Sequence, residues 1–187
     1  MCALSLGGCI SVHSYPETWE PALRPRADAC PDLDGTYANT GQSANGTWGA
    51  TLSGWLKLDP PRPRRAQFDR VDVALSGDEL ALHAVGADAS ATRVLDRRRG
   101  DFECNEGVLE LSYTESCCFD MMTSRTAGVL SLSRTPTSLV LGVSDVGAAI
   151  VIFVPRVYAQ HNYLRFERMK DEHASGSAET YAGRPGQ

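Results

Sequence analysis

The stretch "RVDVALSGDELALHA", residues 70–84, decides the fold. Apolar and polar side chains alternate on both sides of Ser76-Gly77-Asp78, which has the composition of a tight turn. The apolar side chains of each half share one face of an extended strand: Val71, Val73 and Leu75 in the first half, Leu80 and Leu82 in the second. The stretch therefore predicts a β-hairpin with one buried face.

The same alternation recurs along the rest of the chain, and no sustained 3.6-residue pattern competes with it. It appears in "VLELSY" (108–113), "GVLSLS" (128–133), "SLVLGV" (138–143), "AIVIFV" (149–154) and "YLRFER" (163–168). Asn105-Glu106-Gly107 has turn composition, and only "TLSGWLKL" (51–58) favours a short helix. We therefore expect an all-β domain over residues 30–169, an antiparallel meander that forms a small barrel or a sandwich.

Three further segments carry structural expectations. "VGAAIVIFVP" (146–155) is the most apolar run and reads as a buried strand. "LDPPRPRRAQFD" (58–69) contains three prolines and is expected to be an exposed loop. The tail 170–187 has almost nothing to bury and is expected to be disordered.

Composition limits the class of partner and the compartment. The chain has 187 residues and a formal net charge of -5, which argues against general nucleic-acid binding. No run approaches the roughly 20 apolar residues that a membrane-spanning helix needs. Six cysteines are many for a cytosolic chain of this size, so an oxidising compartment is expected.

The stretch "LSLGGCI", residues 4–10, predicts how the chain is held in that compartment. Leu6-Gly7-Gly8-Cys9 resembles the lipobox of bacterial lipoproteins, which implies cleavage before Cys9 and acylation of its thiol and amine. Residues 1–8 are then the remnant of a signal peptide whose beginning lies upstream, and residues 9–29, polar and Pro-rich, a tether. Ile10 after the cysteine implies the outer membrane, with the domain facing the periplasm.

"CPDLDGTYANTGQ", which begins at Cys30, resembles the start of the mature domain in a group of proteobacterial lipoproteins. These carry a Cys-Pro-Asp-(Leu/Ile)-x-Gly-x-Tyr-x-Asn block soon after the anchor, and "DFECNEGVLELSY" and "NYLRFER" are also similar to that group. The resemblance implies a compartment and a type of domain. It implies no reaction.

A second resemblance is to lipocalins, whose first strand begins with Gly-x-Trp and whose late arginine packs across that ring. Here Gly35-Thr36-Tyr37 opens the first expected strand, and Arg165 and Arg168 come late. The likeness implies a barrel whose interior binds an apolar ligand.

Four cysteines remain for disulfides if Cys9 is acylated and Cys2 is removed with the signal. Cys30, Cys104, Cys117 and Cys118 allow three connectivities. Neighbouring residues on a strand point to opposite faces, so Cys117 and Cys118 can take different partners. We predict that Cys30 and Cys104 are each joined to one of this vicinal pair, without preference as to which.

The remaining motifs give one alternative chemistry. Cys117, Cys118, Met121 and Met122 gather soft sulfur donors that suit Cu(I), so a metal or redox site there is an alternative to disulfides. No Gly-x-Ser-x-Gly, phosphate loop or paired histidine motif is present, and no catalytic residue or cofactor is predicted. The sequence thus favours a non-catalytic envelope lipoprotein with a structural or binding role, and a carrier of an apolar small molecule as the alternative.

Overall fold

The structure, a computed structural model, describes residues 9–23, 25, 29–46, 48–58, 67–119, 122–151 and 154–170. The predicted all-β class is confirmed: two antiparallel sheets pack as a sandwich and, within these ranges, do not close into a barrel. The predicted short helix is α1, Leu52–Trp55, and a 3-10 turn occupies Arg97–Arg99. Of the expected exposed loop 58–69, the structure describes only Leu58 and residues 67–69, and Leu58 and Phe68 are buried rather than exposed. The prolines of this loop and the expected disordered tail, except Lys170, lie outside the described residues.

The larger sheet contains the long strands of the chain. Its strands are β1 (Cys9–Val12), β3 (Thr40–Ser43), β4 (Trp48–Thr51), β8 (Glu103–Asn105), β9 (Val108–Phe119), β10 (Met122–Arg134), β11 (Ser138–Val151) and β12 (Val154–Glu167). They run in the order β4-β3-β12-β11-β10-β9-β8, and β1 pairs in parallel with β12 beside β3. Four consecutive hairpin-linked strands, β9 to β12, therefore form the body of this sheet.

The smaller sheet contains the hairpin that the sequence predicts. Its strands are β2 (Gly35–Ala38), β5 (Arg70–Ser76), β6 (Glu79–Val85) and β7 (Ser90–Asp96), in the order β2-β5-β6-β7. Val71, Val73, Leu80 and Leu82 are buried as expected. Gly77, at the turn, has φ 62°, a left-handed conformation that glycine adopts without steric cost.

The core lies between the two sheets and is filled by side chains. The largest of the fully buried ones are Tyr37, Phe102, Phe166, Leu33, Leu52, Leu56, Leu80, Leu82, Leu109, Leu132, Leu139 and Leu141. A buried leucine contributes about 2 kcal/mol by its removal from water, so this cluster holds the sheets together. The ligand-binding interior that the lipocalin likeness implies is occupied here by the protein itself.

The chain just after β12 meets the first core strand, β2. Arg168 forms a bridge with Tyr37, and its guanidinium donates to the carbonyl of Asp34 at 3.2 Å. The hydroxyl of the buried Tyr37 donates to the carbonyl of Leu33 at 2.8 Å. Arg165 instead lies over the ring of Trp19, 5.1 Å from its centroid. The contact ties the two sheets at one end of the sandwich.

The predicted tether differs from a free spacer over its described part. Residues 9–12 form β1, and the chain then follows the outside of the larger sheet, where Leu23 bridges to Arg134. Tyr15 packs edge-on against Tyr163, and Trp19 is buried. Two aromatic rings in a polar, Pro-rich segment supply enough apolar area to hold it on the sheet.

The prediction that residues 146–155 form a buried strand is wrong as to burial. The segment is also not a single strand, because β11 ends at Val151 and β12 begins at Val154, and Val146 and Ile150 are 60% and 52% exposed. The four long strands have 12 to 14 residues, whereas the strands of the smaller sheet have at most 7. The smaller sheet therefore covers only one half of them. We call the uncovered half, described residues 112–118, 123–128, 144–150 and 155–161, the extension.

The predicted disulfide connectivity is also wrong, because Cys30 is bonded to Cys104. Cys104 pairs with Leu109 at the beginning of β9, and Cys117 lies eight residues further along that strand. At about 3.3 Å per residue this puts Cys117 about 26 Å away from Cys104. A loop that looks short in sequence is held open by a straight strand, and Cys117 is exposed with a free thiol.

Candidate functional site

The apolar side of β11 changes face in the middle of the strand. Alternate residues of a strand point to opposite faces, so odd-numbered residues of β11 share the face toward the smaller sheet and even-numbered residues share the opposite face. The apolar residues in question are Leu139, Leu141 and Val143 in the first half and Val146, Ala148 and Ile150 in the second. Pairing with β10 and β12 continues without a shift across this point. The change of face, or inversion, therefore results from the order of the residues in the sequence and not from a β-bulge.

β12 shows the same inversion at the same level. Leu164 and Phe166 are buried against the smaller sheet, whereas Pro155, Val157 and Ala159 point to the opposite side of the extension. The register aligns these outward residues with those of β11, since Ala148 is opposite Val157 and Val146 is opposite Ala159. The extension is therefore an amphipathic sheet whose apolar side faces away from the core.

We define the outer face as the outward-pointing side chains of the extension and of its edge strand β1. These are the even-numbered residues of 10–12, 112–116 and 144–150 and the odd-numbered residues of 123–127 and 155–161. Ile10 and Val12 belong to it because they pair in parallel with Ala159 and His161. Five adjacent strands thus contribute to one continuous surface.

An open groove of about 570 Å³ lies on this face. Its walls include Val12 from β1, Ala127 from β10, Val146 from β11 and Ala159 from β12. The small side chains of Ser112 and Ser144 leave space between these aliphatic groups. Such a surface offers dispersion contact and few directional hydrogen bonds, so it can bind an apolar group with little chemical discrimination.

The charge of the outer face is unlike that of the whole chain. The chain carries 23 Asp and Glu residues, but no described side chain of the outer face is a carboxylate. Arg125 is its one permanently charged member among the described residues. His161, at the edge near the core, is hydrogen-bonded through Nδ1 to the hydroxyl of Ser144. The face can therefore approach an anionic surface without repulsion from its own side chains.

The opposite side of the extension carries a polar cluster where the core ends. Asp145 is buried, and its Oδ2 accepts hydrogen bonds from the Tyr113 hydroxyl at 3.0 Å and the Gln160 amide at 2.8 Å. Burial, and then the hydrogen bond to Asp145, raise the pKa of Tyr113. Asp145 Oδ1 is buried without a hydrogen-bond partner. The cluster fixes β9, β11 and β12 to one another.

Two glycines make room for the tyrosines of this inner side. A Cβ on Gly128 would lie 2.8 Å from the Tyr113 ring, and one on Gly147 would lie 2.3 Å from the ring of Tyr158. The hydroxyl of Tyr158 is hydrogen-bonded to Thr126. Glu115, next to this pair, forms an ion pair with Lys57 from the segment after α1. Hydrogen bonds and charges thus replace apolar packing along the inner side of the extension.

The sequence-predicted site residues are only partly brought together. Cys9 is the first residue of β1 and pairs with Tyr158, beside the outer face. Met121 lies outside the described residues, and so do the side chains of Cys118 and Met122. The proposed cluster of sulfur donors therefore stays a prediction. In the part of the chain that the structure describes, no three His, Cys, Asp or Glu side chains are arranged to hold a metal ion.

Sequence reasoning missed the outer face, although the signal is present. In "LVLGVSDVGAAI" (139–150) the apolar alternation changes from odd to even positions after Val143. The pairing register of the strand does not shift, but its apolar residues move to the opposite face. The smaller sheet lies on one side only, so the part of the strand with its apolar residues on the other side cannot pack in the core. A count of apolar residues that ignores whether they stand at odd or even positions predicts that the whole stretch is buried.

No known protein family, curated protein or solved structure matches the chain. Within the described residues, no helix has the length and apolar character needed to cross a bilayer.

Proposed function

We propose that this chain is a non-catalytic lipoprotein of the bacterial envelope that is anchored through Cys9 and binds an apolar partner on its outer face. The anchor places it in the outer membrane, facing the periplasm. The observation that carries the proposal is the position of Cys9 at the start of β1, the edge strand whose next residues, Ile10 and Val12, belong to the outer face. The attachment point and the exposed apolar surface are thus parts of one structural unit.

The exposure of the outer face supports a binding role. Strands β9 to β12 are antiparallel, β1 is parallel to β12, and neighbouring strands lie about 4.8 Å apart, so the five span about 20 Å. The four long strands each contribute a length of about 20 Å. The face, which has Ser, Thr and Arg125 side chains beside its apolar ones, thus covers about 400 Å², in the size range of the largest surface patches on monomeric proteins, which are often functional. The polar inner side of the same strands shows that the extension is not simply an unfinished core.

The disulfide supports the compartment. Cys30 and Cys104 are joined across 74 residues of sequence, and such bonds persist in oxidising environments such as the bacterial periplasm. The bond fixes the beginning of the domain to β8, at the end of the sandwich away from the extension. It therefore stabilises the core without restricting the outer face.

Metabolic labelling of host cells with radioactive palmitate tests the anchor. The full-length product of the natural gene is expected to take up label, and Cys9→Ser is expected to lose it. Cys117→Ser is the matched control, because Cys117 is an exposed thiol that a nonspecific acylation would also reach. Label that persists in Cys9→Ser and disappears in Cys117→Ser would contradict the assignment of Cys9.

The groove favours a second candidate function, a carrier of an apolar small molecule. Its volume of about 570 Å³ is in the range of ligand sites, and most of the atoms that line it are apolar. In this case the ligand lies on the outer face and not between the sheets. Native mass spectrometry of protein released from the envelope is expected to show a bound molecule of defined mass if the carrier function holds. The bare chain mass alone would contradict it.

A further inference from the structure

We propose that the occupant of the outer face is the surface of the lipid bilayer itself. The inference rests on the proposed function, because it takes Cys9 as the lipid-bearing residue. The inference goes beyond the proposed function by naming the apolar partner and the orientation of the domain. The extension lies along the membrane, and the sandwich core and the Cys30–Cys104 end are held further from it.

The position of Cys9 is the first observation that supports contact between the outer face and the bilayer. Cys9 pairs with Tyr158, and the neighbouring Val157 points outward with Ala148 in the same row. Cys9 begins the edge strand β1, so acyl chains attached there leave the protein one residue before the outer face begins at Ile10. Ile10, the next residue, is 79% exposed on that face. A bilayer that receives the acyl chains is the nearest apolar phase to these side chains.

The distribution of charge is the second observation that supports contact between the outer face and the bilayer. Arg125 and the absence of carboxylates among the described side chains of the outer face allow contact with anionic headgroups. The inner side carries Glu115 and Asp145, which remain directed away from the membrane in this orientation. The chain as a whole has a net charge of -5, so a face without carboxylates meets an anionic surface with less repulsion than the average face of the protein does.

The third supporting observation is which part of the larger sheet the N-terminal segment covers. Near the core, the outward side of the sheet is covered by the segment that contains Tyr15 and Trp19, and Val140 there is buried. This segment stops at the level of His161, where the backbone N–H of His13 donates to its carbonyl at 2.9 Å, and the chain continues toward Cys9 as an edge strand. Among the described residues, this segment covers the outward side up to the extension, and none of them covers the part beside Cys9.

The test measures binding to vesicles in a protein that has no acyl chains. The full chain carrying Cys9→Ser is mixed with vesicles of phosphatidylethanolamine and phosphatidylglycerol, and bound protein is separated by flotation. We expect it to float with the vesicles. Val157→Asp and Ile150→Asp are each expected to weaken this partition by about tenfold, the effect of losing the burial of one aliphatic side chain.

Val94→Asp is the matched control. Val94 lies on β7 of the smaller sheet and is 53% exposed, against 56% for Val157, so both substitutions place a carboxylate on an exposed strand position. We expect Val94→Asp to bind vesicles as the Cys9→Ser parent does. Val157→Ser serves as a second variant at the same site if Val157→Asp fails to fold by circular dichroism, and it is expected to weaken binding in the same direction.

Three results would overturn the inference. The first is a Cys9→Ser parent that does not float, and the second is equal partition of the Val157 and Val94 variants. The third is a dimer in solution that Val157→Asp dissociates, because a second copy would then occupy the face. The palmitate experiment is independent of these results: loss of the Cys9 assignment with vesicle binding intact would refute the anchor alone.

Discussion

Removing the disulfide tests the connectivity that the structure gives. The perturbation is the double substitution Cys30→Ala and Cys104→Ala. The bond closes a loop across 74 residues, and the chain-entropy relation gives a stabilisation of about 4.5 kcal/mol for a loop of that length. Both side chains also pack against the core, so their truncation adds to the loss. Native domains are stable by about 5 to 15 kcal/mol, so we expect the double variant to be close to unfolding.

The assay is urea denaturation followed by tryptophan fluorescence, with the free energy of unfolding extrapolated to water. Cys117→Ala is the control, and because Cys117 is exposed and unpaired we expect a change within about 0.5 kcal/mol. Non-reducing peptide mapping identifies the bond itself. The reasoning is refuted if the double variant loses less than about 1 kcal/mol, or if the map links Cys30 to Cys117 or Cys118.

Three further predictions concern the long strands. Leu141→Ala should lower the free energy of unfolding by about 2 to 5 kcal/mol, whereas Val146→Ala, on the same strand but exposed, should change it by less than about 0.5 kcal/mol; equal losses in urea melts would refute the inversion. Gly147→Val should destabilise by about 2 kcal/mol because its side chain meets the Tyr158 ring, and an unchanged melting temperature would contradict this contact. The raised pKa of Tyr113 means that the unfolded chain releases the phenolic proton first, so stability should fall as pH rises above about 10; Tyr113→Phe should reduce that fall, and identical urea midpoints against pH in both proteins would exclude the effect.

The fold class follows from the sequence because alternation is a local signal. The β5–β6 hairpin can be predicted from two local features, the alternate positions of Val71, Val73, Leu80 and Leu82 and the glycine at the turn. Both features are visible within fifteen residues. The choice of a sandwich over a closed barrel depends on strand lengths and on which edges pair. Those are properties of the whole chain and no single segment encodes them.

The errors share one physical origin, the length of the strands from β9 to β12. A straight β9 separates Cys117 from Cys104, so a pairing that looks local in sequence is excluded in space. The same length takes Val146 and Ile150 beyond the smaller sheet, so an apolar run is exposed and not buried. Burial requires a partner layer as well as an apolar sequence, and the extent of that layer is a tertiary property.

The most direct test of the outer face as a membrane contact is photo-crosslinking in living host cells. The photoreactive amino acid benzoylphenylalanine replaces Val157 in the full-length gene product, and in a second strain it replaces Val94. After irradiation, the purified protein is analysed by mass spectrometry. We predict phospholipid adducts from position 157 and none from position 94. Adducts to a protein at position 157, or equal lipid adducts at both positions, would contradict the account.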